Sequence, residues 1–325
     1  MNTQDSLPAL TQLPSDFAIK VDNLSAIRVT GPEADKYLQG QLTCDMNQLA
    51  SKQLLVGGHC DAKGKMFAAF RLVSHDSQRL LIQSQHSLNA SMAELQKFGV
   101  FAKVEIEQAN DLAFMALVGA KAKEYIAHQF EAVPDSFTPV LHQGTATVVF
   151  ISGKLNRYLL IDTQANIEAL MARLELPVFS SKIWTLLEIV SGFVHMNEAS
   201  VNEYVPQMLN LQHLNGISFS KGCYLGQETV ARMKYLGKNK RALFALLGQG
   251  QAELSENDLL EVQMGDSWRR GGNIIASYQS DNGEVYLQAV LSNDSSDDSL
   301  FRIKGQEDIE FKVIDLPYTI NQTED

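Results

Sequence analysis

Lys221-Gly222-Cys223-Tyr224-Leu225-Gly226-Gln227-Glu228-Thr229-Val230-Ala231-Arg232 is the stretch on which the reading of this chain turns. It seats one of three cysteines beside two glycines, just ahead of a run that can wind as a helix. Glycine reaches backbone conformations that other residues resist and lets another group approach the chain. A thiol near the first turn of a helix is favoured as thiolate by the free N–H groups and the helix dipole. Lys221 and Arg232 act in the same direction, and Glu228 acts against them. The same residues also describe a small buried cysteine at a glycine-rich turn, because free cysteine is among the most buried residue types. The residues alone leave both readings open.

Outward from this stretch, Leu54 to Cys60 and Met66 to Ser74 read as strands. Asp61-Ala62-Lys63-Gly64-Lys65 joins them as a five-residue hairpin loop, with glycine where a positive φ is expected. Lys63 and Lys65 at its tip are candidate contacts for an anion, or simply part of a solvated turn. Residues 232 to 241 carry Arg232, Lys234, Lys238, Lys240 and Arg241 with no acid among them. On a chain of net charge −11 such a strip suggests a local anionic ligand, or a solvated helix end.

Further strands are expected at Phe17–Val21, Ala26–Thr30, Arg79–Gln83, Leu112–Val118, Thr145–Ser152 and Arg157–Asp162. Val100–Glu107 alternates in the same way, and residues 1 to 16 read as a flexible lead. Helices are expected over Ser87–Phe98, 120–130, Ile167–Leu174 and the apolar run Ile183–Val190, which contains Trp184. From Arg241 onward, short strands separated by turns such as Asp281-Asn282-Gly283 predict a small barrel or sandwich. Strands and helices without regular βαβ alternation give an α+β fold. No G-x-G-x-x-G, G-x-x-x-x-G-K-[ST] or G-x-S-x-G motif is present, so nucleotide folds and α/β-hydrolases have no support.

The 325 residues suffice for two or three domains. A dedicated nucleic-acid binder is usually basic, so the acidic balance speaks against direct nucleic-acid binding. No apolar run approaches the roughly 20 residues that span a bilayer. The first sixteen residues lack the basic and apolar regions of a secretion signal, so a cytoplasmic protein is expected. Cys44, Cys60 and Cys223 are odd in number and far apart, which argues against a disulfide framework. No spacing suggests a metal site complete within the chain.

The run K-G-C-Y-L-G-Q-E-T-V-A-R resembles the signature of the YgfZ family, folate-binding proteins related to the glycine-cleavage T-protein, an aminomethyltransferase. The resemblance continues through His59-Cys60-Asp61-Ala62-Lys63-Gly64-Lys65-Met66, Gly216-Ile217-Ser218-Phe219, Asn239-Lys240-Arg241-Ala242-Leu243 and Leu316-Pro317-Tyr318, in order along nearly the whole chain. It implies a T-protein-like multidomain α+β fold ending in a small β-barrel. Residues 1–222 would form a folate-binding region of two interleaved subdomains, 223–240 the cysteine-motif helix and basic connector, and 241–325 the barrel. It implies tetrahydrofolate or a folate derivative as ligand. Iron–sulfur enzymes or their assembly proteins, including tRNA-thiolating enzymes, would be the partners.

Trp184 matches a family tryptophan associated with folate. Cys223 would be the reactive thiol, framed by Lys221, Gly222, Tyr224, Gly226, Gln227 and Glu228. Lys63, Lys65 and Arg232 are candidate contacts for an anionic tail. A second family tryptophan is replaced here by Leu24, to which no role is carried. The T-protein carries adjacent aspartates where this chain has only Asp61, so aminomethyl transfer is not expected to be retained. It remains the alternative to a supporting role in iron–sulfur maintenance.

Overall fold

The computed structural model describes residues 4–75, 77–237, 239–255 and 258–320. The chain begins with β1 (Phe17–Val21), β2 (Leu24–Thr30), α1 (Ala34–Gln39), α2 (Leu49–Lys52), β3 (Leu54–Cys60), β4 (Met66–His75) and β5 (Gln78–Ser84). It continues through α3 (Gln85–Gly99), β6 (Glu105–Gln108), β7 (Leu112–Val118), α4 (Ala120–Phe130), β8 (Val140–Gln143), β9 (Ala146–Ile151) and β10 (Arg157–Thr163). Then come α5 (Gln164–Arg173), β11 (Val178–Phe179), α6 (Ser181–Ser191) and α7 (Gln227–Tyr235). The last strands are β12 (Arg241–Gln249), β13 (Leu259–Met264), β14 (Ser267–Gln279), β15 (Glu284–Ser292), β16 (Leu300–Ile303) and β17 (Phe311–Ile314).

These strands make a five-stranded sheet, β3-β4-β5-β2-β6, a six-stranded sheet, β11-β1-β7-β10-β9-β8, and a closed barrel, β12-β15-β14-β13-β16-β17. Side chains alternate across a strand, so each sheet feeds two cores. In the five-stranded sheet Ile27, Phe70, Leu72 and Leu81 pack toward α3, while Ala26, Val73, Leu80 and Ile82 face the other way. In the six-stranded sheet Ala18, Met115, Leu117 and Leu160 pack under α4 and α5. Their neighbours Ile19, Phe114, Ala116 and Leu159 share the central core with the five-stranded sheet. Helix α6 fills that central layer with Ile183, Trp184, Leu187 and Val190, all 0 % exposed. It is apolar around most of its circumference, as a helix buried on all sides must be.

The structure corrects several expectations. Residues 4–16 are not a loose lead. Gln4 donates to Val178 O at 2.7 Å, Leu7 and Asp281 exchange backbone and side-chain hydrogen bonds, and Tyr278 Oη donates to Pro8 O at 2.6 Å. The segment straps the barrel to the six-stranded sheet. Of Val100–Glu107 only Glu105 onward is a strand; before it Ala102 N–H bonds to Gly99 O in a turn. Strand β8, which follows directly on Pro139, is not among the strands expected from the sequence. Among the described residues no helix is long and apolar enough to cross a membrane.

Candidate functional site

The residues of interest fall in two places. The first is the central layer. Glu188, 1 % exposed, lies on α6 one turn beyond Trp184, so both present the same face. Arg71 of β4 donates to its carboxylate through Nη1 at 2.8 Å and Nη2 at 3.0 Å. Arg157 of β10, 0 % exposed, donates through Nη2 to the same carboxylate and through Nη1 to Ser191 Oγ at 3.2 Å. One carboxylate on α6 therefore ties the two sheets together. The guanidinium carbons of Arg157 and Arg71 stand 4.8 and 5.8 Å from the Trp184 ring centroid, and that of Arg71 is 3.7 Å from the Phe193 ring.

Burial alone would raise the Glu188 carboxyl, but the two arginines hold it below the usual carboxylate range. Burial brings Arg157 down to about 10 against the pull of Glu188, so it stays charged at neutrality. The cluster thus holds two positive charges and one negative in the interior. Trp184 Nε1 and Arg157 Nε are buried there with no hydrogen-bond partner among the described residues.

His195 lies beside this cluster. Its backbone N–H donates to Gln288 Oε1 of β15 at 3.0 Å, and Gln288 Nε2 donates to Phe193 O at 3.0 Å, so the barrel positions the segment. Burial lowers the imidazole to about 4 despite Glu188, leaving it neutral. Asn23, just before β2, donates to Thr185 Oγ1 at 3.0 Å and lies 3.3 Å from His195 Nε2. A cavity of about 190 Å³ opens here, lined by His86, Thr185, His195 and Asn197 together with β14. It shares Leu254 and Ser277 with a wider groove of about 560 Å³ that carries Lys182. The chain's last segment closes the other end of α6. Tyr318 Oη donates to Gly192 O at 2.6 Å, and its ring stacks on His213 at 5.4 Å. Gly192 caps α6 at φ 67°, where a Cβ would meet Tyr318 Oη at 2.5 Å.

The second place is the junction of the hairpin and the cysteine motif. Gly226 adopts φ +82°, and a Cβ there would meet Asp61 O at 2.5 Å and Gly64 Cα at 2.9 Å. Gly64 in turn packs against Thr229. The two segments singled out separately in the sequence are therefore in direct contact. Asp61 accepts from the backbone N–H groups of Lys63 and Lys65, each at 2.8 Å, so its carboxylate shapes the loop. Lys65 Nζ bonds Glu203 O, and Lys63 is exposed.

Cys223 is exposed. It does not lie in the first helical turn. Helix α7 starts at Gln227, because Gly226 turns left-handed and Leu225 N–H bonds Gly40 O at 3.0 Å instead. Nor do the two cations serve the thiol. Lys221 Nζ is buried and donates to Leu42 O and Cys44 O, both at 2.7 Å; burial lowers it to about 8. Arg232 pairs with Glu228 at 3.7 Å on the exposed side of α7. Tyr224 is buried with Lys221 5.0 Å from its ring, which fixes the loop and leaves the sulfur outside.

Trp184 is 0 % exposed and Cys223 is exposed, and neither lines the cavity at His195 or its groove. Lys63, Lys65 and Arg232 line neither the cavity at His195 nor its groove. Lys238 lies outside the described residues. Leu24, 8 % exposed, lines a separate cavity of about 210 Å³ with Phe114 and Met171. Arg71, Arg157, Glu188, His195 and Lys182 were missed in the sequence. Glu188 inside Ile183–Val190 and Arg71 inside Ala68–Val73 were the available signals, since a charge within an apolar run must find a buried partner. Among the described residues no group of three or more His, Cys, Asp or Glu is placed to hold a metal.

A family model described as "YgfZ, beta-barrel domain" matches residues 239–307. The chain is 49 % identical to the "tRNA-modifying protein YgfZ" of Colwellia psychrerythraea, with 98 % of each chain covered. The chain belongs to the YgfZ family. A protein of the same description from Pectobacterium carotovorum is 37 % identical, again over 98 % of each chain. Among solved structures, glycine cleavage system aminomethyltransferase T from Bartonella henselae superposes with a TM-score of 0.70 at 14 % identity, covering 96 % of this chain and 88 % of that one. The YgfZ-family chain thus has the aminomethyltransferase T fold, with its mixed sheets and helices and a closed C-terminal barrel.

Proposed function

We propose that this protein binds a reduced folate beside α6 and thereby supports assembly or repair of iron–sulfur enzymes, including those that thiolate tRNA. The observation that carries the reading is the buried cluster of Trp184, Arg71, Arg157 and Glu188, with its unpartnered indole and guanidinium N–H groups, which is linked to the cavity through His195, a lining residue within the electrostatic reach of Glu188 and Arg71. A pterin calls for an aromatic or apolar wall and a few convergent polar groups. The relatives' description as tRNA-modifying and the aminomethyltransferase T fold support the direction of the reading.

In this reading Glu188 orients both guanidinium groups, Trp184 packs behind the cavity on α6 and holds its neighbour Thr185 in the lining, and neutral His195 and Asn197 offer hydrogen bonds at the cavity. Lys182, which lines the outer groove, is the cation for an anionic tail. A bound reduced folate supplies a carrier for one-carbon units. Aminomethyl transfer is not favoured, because the Asp61 carboxylate is already spent on Lys63 and Lys65 N–H groups. Cys223 acts separately, as the accessible sulfur toward a partner protein. The test is a strain lacking the gene, complemented with Cys223→Ala or with wild type. Thiolated tRNA should stay low with the variant and recover with wild type. Full recovery with the variant removes the thiol from the proposal.

A further inference from the structure

A cavity of about 440 Å³ lies on the far side of the cysteine motif and belongs to neither site above. Its lining is mostly polar, and the buried Cys44, Leu55 and Ile217 supply its apolar part. Its rim is formed by the end of α2, residues 215–220 and the last turn of α7. Among the described residues two lysines reach it, Lys52 and Lys234, against one acid, Asp45. Burial works against the Asp45 charge, but hydrogen bonds from Gln39, Asn47 and Gln48 hold the carboxyl below its usual range, so it is already satisfied by the protein. The Lys221 ammonium stands behind the wall, bonded to Cys44 O, and adds positive potential.

Two aromatic rings complete the rim. Lys234 Nζ lies 3.9 Å from the Phe219 ring centroid and 5.6 Å from that of Tyr235. Tyr235 is 68 % exposed, a large ring left uncovered next to a concave, positively edged pocket. The volume falls in the range of small-molecule sites, and an aromatic face beside a lysine suits a flat base carrying a phosphate.

We propose that this cavity is a nucleotide site, with the base against Tyr235 and Phe219 and the phosphate at Lys234 and Lys52. The nucleotide is either free or an unstacked residue of single-stranded RNA. The site is independent of the folate reading. The test is calorimetry on the full-length protein with uridine and adenosine 5′-monophosphates and with a six-nucleotide single-stranded RNA. Saturable binding is expected, weakened at least tenfold by Lys234→Glu and severalfold by Tyr235→Ala, both exposed positions, and falling as salt rises. Trp184→Phe should leave it unchanged. Equal affinity for monophosphate and oligomer assigns the site to the free nucleotide; binding of the oligomer alone assigns it to RNA. The proposal is overturned if neither ligand binds at millimolar concentration, if Lys234→Glu has no effect, or if hexaglutamate binds as tightly as the oligomer.

Discussion

The interior at Glu188 and the junction at Cys223 are held together by different means. At Glu188 two arginines from two sheets converge on one carboxylate, and an indole packs over both guanidinium groups. At Cys223 the contact is backbone on backbone, Gly226 against Gly64 and Asp61, and the side chain at the centre points to solvent. The first arrangement spends its polar groups on orientation and excludes water. The second freezes a loop so that one sulfur stays outside. The difference teaches that Trp184 and Cys223, the two residues the resemblance singled out, need not act on the same molecule.

The largest expected effect separates the two regions by stability. Glu188→Gln leaves two buried guanidinium groups without their counter-charge, which costs about 3–5 kcal/mol. Cys223→Ser, at an exposed position, should stay within about 0.5 kcal/mol. Urea unfolding of both variants checks the contrast; a Glu188→Gln loss below about 1 kcal/mol would mean that the cluster does not pin the sheets.

A smaller effect sharpens the comparison through pH. Burial lowers His195 to about 4 and the fully buried His59 to about 3. Above the ordinary histidine range neither group affects stability. As pH falls below about 6.5, the unfolded chain takes up protons that the folded chain refuses, so stability drops. Each histidine contributes a slope of up to about 1.4 kcal/mol per pH unit. Unfolding measured between pH 6.5 and 4.5 should show this loss, and His59→Gln should reduce the slope by one histidine's share. Cys223→Ser should leave the slope as in wild type. An unchanged slope in His59→Gln would contradict the burial assigned to that ring.

Much of this was legible in local pattern. Gly64 in a five-residue loop predicted the hairpin, and the apolar run with Trp184 predicted α6, because both signals lie within a few neighbouring residues. What stayed hidden depends on distant partners. Arg71 meets Glu188 across 117 residues and Leu7 meets Asp281 across 274, and no periodicity reports such pairs. Lys221 shows the same limit in reverse. Its position two residues before Cys223 suggested an activating cation, yet its ammonium turns inward to the carbonyls of Leu42 and Cys44. Sequence proximity placed the lysine beside the cysteine, while its ammonium is used by carbonyls 177 and 179 residues away.

The most direct measurement is calorimetry with tetrahydrofolate on wild type, Trp184→Phe and Cys223→Ser. Phenylalanine keeps an aromatic ring in the core but removes the unpartnered indole N–H. Saturable binding to wild type is predicted, weakened fivefold or more by Trp184→Phe and unchanged within twofold by Cys223→Ser. No binding to wild type, or a loss in Cys223→Ser as large as in Trp184→Phe, would contradict the account.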